Sequence, residues 1–100
     1  MLPAVALGVD GAIGSTFNVN GVRARQIFDL TKQGKLAEAR EIQHVTNDLI
    51  EGILANGLYL TIKELLKLEG VDAGYCREPM TAKATEAQLA KAKELKAKYL

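Results

Sequence analysis

The sequence has no tryptophan, one cysteine, one histidine and two prolines in 100 residues, and aromatic residues make up 5% of it. A single cysteine, Cys76, rules out an internal disulfide framework and suits a reducing compartment. With one histidine, His44, far from Cys76 and without ligand-like spacing, no metal site is expected. Nor is there a cluster of Lys and Arg interleaved with aromatics, as a nucleic-acid face requires. The lysines gather between Lys83 and Lys98, where Glu86 and Glu94 dilute them into a solvated helix face. No basic n-region opens the chain, and Asp10 interrupts its first apolar stretch, so a secretory signal is not expected. The most apolar long window, Leu49 to Leu68, carries Glu51, Lys63 and Glu64 and is broken at Asn56-Gly57, which reads as a buried helical pair and not a membrane span. A cytoplasmic protein is the expectation.

What is present is one small domain's worth of chain, 48% hydrophobic and 25% charged, with a formal net charge of +1. Such a chain can bury roughly two-thirds of its unfolded surface at most. Leu2 to Leu7 is apolar without alternation and leads into Gly8-Val9-Asp10-Gly11-Ala12-Ile13-Gly14-Ser15-Thr16. The expectation is a strand over Ala4 to Gly8, buried on both faces as in a parallel sheet or barrel. A single strand has no ladder partner within the chain, a first sign of an incomplete fold.

Helical patterns fill the remainder. The first helix starts near Asn18 or Asn20, presents Val22, Ile27 and Leu30, and stops at Gln33-Gly34-Lys35. The second runs from Leu36 to Ala55 on a stripe of Leu36, Ala39, Ile42, Thr46, Leu49 and Ile53, and Asn56-Gly57 closes it. The third, Leu58 to Leu68, turns Leu58, Ile62, Leu65 and Leu66 to one side and ends at Gly70. A connection from Gly70 to Ala84 follows. The last helix begins at Thr85, where Gln88 completes a capping box, and its seam is Leu89, Ala92, Leu95 and Tyr99.

Three glycines at three-residue spacing invite a phosphate reading, but neither nucleotide motif fits. A P-loop needs GxxxxGK[ST], and no lysine follows Gly14; a dinucleotide fingerprint needs GxGxxG, and the spacing here is GxxGxxG. Pattern alone leaves a ligand loop and a tight structural turn both open. Ser15, His44 and a carboxylate make a triad on paper only. His44 lies roughly 200° around its helix from Ile42, away from the apolar stripe. Lys63 sits among Leu60, Ile62, Leu65 and Leu66, where an amine could serve as a Schiff-base nucleophile or project off the polar side. Cys76 beside Arg77 fits an inert small hydrophobe better than a thiolate.

The run Gly8 to Asn18 resembles the last barrel strand and active-site loop of the dihydrodipicolinate synthase/N-acetylneuraminate lyase superfamily. Asn18 to Phe28, His44 to Ile53 and Gly70 to Pro79 extend the likeness over essentially the whole chain, towards the branch that cleaves sialic acid. This resemblance implies the C-terminal part of an α/β (β/α)8 TIM barrel, one strand plus about four helices, mainly α as an isolated chain. Residues 1–34 would be the last strand, the active-site loop and the eighth barrel helix; residues 35–100 would be a C-terminal helical extension.

The resemblance also implies a reversible aldol cleavage of N-acetylneuraminate to pyruvate and N-acetylmannosamine, without organic cofactor or metal. Ile13, Gly14 and Ser15 match positions lining the substrate pocket, with Ser15 bonded to the sugar portion, and Tyr59 matches an aromatic position bordering it. The family's Schiff-base lysine, proton-shuttling tyrosine and carboxylate-binding loop belong to earlier strands, so no catalytic residue is expected here. The partners implied are sialic acid or pyruvate, the remainder of the barrel, and other copies in a homotetramer. An autonomous helical module, binding or structural, is the competing expectation.

Overall fold

The computed structural model describes residues 1–81 and 83–100; Ala82, within the connection expected over Gly70 to Ala84, lies outside the described residues. Five helices make up the regular structure: α1 Leu2–Ala6, α2 Phe17–Lys32, α3 Leu36–Asn56, α4 Leu58–Leu68 and α5 Glu86–Tyr99. The chain divides into two compact units, Met1–Asp48 and Leu49–Leu100, with α3 contributing to each.

The strand expected over Ala4 to Gly8 is a helix. A short apolar run fits a buried strand and a buried helix alike, so periodicity does not decide. Pro3 stands in the first turn of α1, where its fixed φ suits a helix and its missing N–H costs nothing. The flanking leucines and alanines are good helix formers. Gly8, with φ of 96°, ends the helix in the left-handed conformation that favours glycine, and its N–H donates to the Val5 carbonyl. The first glycine of the triplet is thus a helix terminator. Val5 is the buried residue of α1, and the Leu2 N–H donates 3.0 Å to Gln43 Oε1.

In α2, Asn20, Ala24, Ile27 and Thr31 are buried, a spacing of four, three and four that marks one helical face. Val22, expected on that face, is 75% exposed. Asn20 itself (φ −121°, ψ 26°) interrupts the helix, so the turn before it and the turns after it form two segments. Its side chain is buried, and Asn20 Nδ2 donates 3.2 Å to Thr46 Oγ1 on α3. Leaving such a donor without an acceptor would cost about 1–3 kcal/mol. The helix stops where expected: Gly34 has φ of 76° and the Lys35 N–H reaches back to the Leu30 carbonyl.

In the second unit, Leu49, Ile53, Leu60, Ile62, Leu65, Ala92 and Leu95 are buried. Gly52 makes room for α5, because a Cβ there would lie 2.6 Å from Leu95 Cδ2. The expected capping box is present, with Thr85 Oγ1 accepting from the Gln88 N–H at 3.2 Å and the Thr85 N–H donating to Gln88 Oε1 at 2.9 Å. Gln88 does more than cap. Its Nε2 donates to the Asn56 carbonyl at 3.1 Å, while Asn56 Nδ2 donates to the Gln88 carbonyl at 3.0 Å and to Thr61 Oγ1 at 3.1 Å. The start of α5 is therefore fastened to the junction of α3 and α4. Thr85→Ala should cost about 1 kcal/mol, whereas Gln88→Ala, which also frees two backbone groups, should cost about 2 kcal/mol. Urea unfolding followed by circular dichroism checks this order; equal losses would show that the link to Asn56 contributes nothing.

Candidate functional site

Ile13, Gly14 and Ser15 lie together in the segment between α1 and α2. The segment has no helix or strand of its own, and its last residues wind into the first turn of α2. The Phe17 N–H donates to the Gly14 carbonyl at 3.2 Å and the Asn18 N–H to the Ser15 carbonyl at 3.3 Å. Asn18 Nδ2 adds a second, shorter bond of 2.8 Å to the same Ser15 oxygen. Ser15 is thus held by its backbone, which does not use its hydroxyl. Ile13 is 100% exposed and Ser15 half-buried. A Cβ on Gly14 would touch the Phe17 ring at ordinary contact distance, 3.6 Å, so what glycine provides there is an uncovered backbone.

Beside the segment is an open groove of about 330 Å³, bordered by Asp10, Gly11, Ala12, Phe17, Arg25 and Phe28. Arg25 pairs with Asp29 at 3.0 Å and its guanidinium lies 5.6 Å from the centroid of the Phe28 ring. The Arg25 charge is already partnered and the other charged side chain named at the groove, Asp10, is acidic. A polyol with hydroxyls to bond suits this better than a multiply charged phosphate.

Tyr59 lies in the first turn of α4, in the second unit, and is 45% exposed. It borders a groove of about 290 Å³ with Cys76, Pro79, Met80 and Gln88. The other chemistry-bearing residues take the blander of their readings. His44 is exposed. Lys63 Nζ donates 2.9 Å to the Ala73 carbonyl, so its ammonium supports the connection after α4. Cys76 is buried. Among the described residues no group of three or more His, Cys, Asp or Glu could hold a metal ion, and no helix is long and apolar enough to cross a membrane. What residue chemistry missed are the supports of the segment: Asn18, Asn20 and Thr46. Two of these stood out only as possible caps.

With this geometry in view, comparison with known proteins identifies the class. The profile of the Dihydrodipicolinate synthetase family matches residues 1–98, and the chain belongs to that family. Within it the similarity is to N-acetylneuraminate lyases: 91% identity to that of Haemophilus influenzae and 82% to that of Pasteurella multocida, each over 100% of this chain and 34% of the relative. A crystal structure from Clostridium difficile, in complex with mannosamine, superimposes with a TM-score of 0.95 at 68% identity, covering 99% of this chain and 34% of that one. The N-acetylneuraminate lyase of Fusobacterium nucleatum gives a TM-score of 0.94 at 69% identity, with the same coverage. The chain spans about a third of the length of the relatives it matches. It has the fold of the corresponding third of a (β/α)8 barrel lyase, and its described residues are helical where the expectation included a strand.

Two large apolar side chains in or next to the segment stand in solvent, Leu7 at 88% and Ile13 at 100% exposed. Large apolar side chains so fully exposed favour association with apolar partners. The isolated chain should therefore bind an apolar fluorescent dye or self-associate, read by dye titration and sedimentation. A monodisperse monomer that leaves the dye unbound would contradict it.

Proposed function

We propose that this chain supplies part of the substrate pocket of a class I aldolase that cleaves N-acetylneuraminate to pyruvate and N-acetylmannosamine, and does not supply its nucleophile. The observation that carries this reading is the 91% identity to a lyase of that name along the full chain. Two solved relatives lend support, one in complex with mannosamine and another with pyruvate. In this reading residues 1–34 belong to the barrel and residues 35–100 to a helical extension. Ile13, Gly14, Ser15 and Tyr59 are substrate-binding residues. The Ser15 hydroxyl can donate to and accept from a sugar hydroxyl, while its carbonyl is already occupied by Asn18. The working enzyme is a cytoplasmic homotetramer, assembled on the remainder of the barrel.

A Schiff base forms when an unprotonated lysine amine adds to the keto carbon of pyruvate and water leaves, so the lysine must be sheltered from water and held facing the substrate. Lys63 does not meet this need, since its nitrogen is engaged with the Ala73 carbonyl on an exposed surface. The nucleophile comes from residues outside these 100. Borohydride reduction of the chain mixed with pyruvate should therefore leave its intact mass unchanged, and a trapped adduct on Lys63 would overturn the assignment. In a full-length lyase carrying these residues, Ser15→Ala should raise KM for N-acetylneuraminate up to about tenfold, the worth of one neutral hydrogen bond, and leave pyruvate trapping intact.

A further inference from the structure

We infer that Asn20 and Thr46 form a positioning pair for the Ser15 segment, setting where the pocket rim stands without touching the substrate; this rests on the reading of Ser15 as a sugar contact. Three observations converge. First, α2 is not one continuous helix: Asn20 departs from helical φ and ψ, which separates the first turn, residues 17–19, from the body of the helix. That turn is free to take its own direction, and something must fix it. Second, the fixing contact is at the break. Asn20 is 3% exposed, its Nδ2 donates to Thr46 Oγ1 on α3, and its Oδ1 accepts from Arg23 Nη1 at 3.3 Å. One side chain thus ties the turn to a second helix and to the body of its own.

Third, the same short turn carries the substrate segment at its other end. The Asn20 N–H donates to the Thr16 carbonyl at 2.9 Å, and Asn18 holds the Ser15 carbonyl by two donors. Hydrogen bonds run from Thr46 to Asn20 and from Asn20 to Thr16, the covalent neighbour of Ser15, whose carbonyl Asn18 of the same turn holds. A small displacement of a positioned group is enough to weaken a substrate contact, even when the change is made away from the chemistry. An ordinary packing role for Asn20 would need neither the break in the helix nor an acceptor on another element. An apolar residue would fill the same buried space.

The test separates the hydroxyl from the packing. Valine has nearly the shape of threonine and no acceptor, whereas serine keeps the acceptor and loses a methyl. In a full-length lyase carrying these residues, Thr46→Val should raise KM for N-acetylneuraminate about fivefold or more, with kcat and pyruvate trapping within about twofold of wild type. Thr46→Ser should restore KM. A KM unchanged in Thr46→Val, or raised equally in both variants, would overturn the positioning role. Ser15→Ala, measured alongside, distinguishes the two levels. If it raises KM while Thr46→Val does not, the positioning pair fails and the reading of Ser15 stands. If Ser15→Ala itself leaves KM unchanged, the reading of the rim fails and the pair's purpose with it.

Discussion

The buried hydrogen bond between Asn20 and Thr46 is the contact on which the first unit turns. A helix running from Phe17 to Lys32 without interruption would carry its first turn along a single axis. Here the break at Asn20 releases that turn, and the amide of the same residue fastens it to α3. The bond is buried, where an unpaired amide is costly and a paired one is correspondingly directional. The groups linked to that turn are the Thr16 carbonyl, the doubly bonded Ser15 carbonyl and, next to it, the Gly14 carbonyl that accepts from Phe17.

The second unit uses the same kind of device for a different end. Asn56 and Gln88 exchange hydrogen bonds between side chain and backbone in both directions, so the carbonyl left unpaired at the end of α3 finds its donor at the start of α5. Gln88 also completes the capping box with Thr85. Leu95 fills the space that Gly52 leaves open, and α4 and α5 pack against each other. In both units polar side chains at helix ends determine how apolar surface is brought together.

Local signals in the sequence carried much of this. Gly34 and Asn56-Gly57 stop helices where their chemistry says they should, α4 spans the expected Leu58–Leu68, and the Thr85–Gln88 box opens α5. Each of these depends on a few neighbouring residues. The expected strand at Ala4 to Gly8 was not legible, because five or six apolar residues satisfy either period and the deciding feature, Pro3 in a first turn, is a single residue. The break at Asn20 was signalled only by two alternative helix starts, Asn18 and Asn20. Its partner lies 26 positions away, and no local pattern encodes an acceptor at that separation. Val22 fell on the wrong face through its own spacing: it stands five residues before Ile27, about 140° around the helix, and is exposed while Ile27 is buried. As for the site, spacing alone left Gly8 to Thr16 open between turn and ligand loop, and structure divides the run. Gly8 terminates α1, while Gly14 and Ser15 remain available to a ligand.

The family relationship places this chain beside sialic-acid lyases, and the chemistry of its residues says what share of the work it can do. It offers an exposed backbone, one hydroxyl and a half-exposed tyrosine, and it places its one suggestive lysine on a surface carbonyl. In the proposed reading these groups contact a substrate, and none of them attacks a carbonyl carbon. The most direct test is a crystal structure of a full-length lyase carrying these residues after borohydride reduction in the presence of N-acetylneuraminate. The account requires the reduced adduct to be joined to a lysine outside these 100 residues, with a sugar hydroxyl within hydrogen-bond distance of Ser15 Oγ. An adduct on Lys63, or one whose sugar lies away from Gly14 and Ser15, would contradict it.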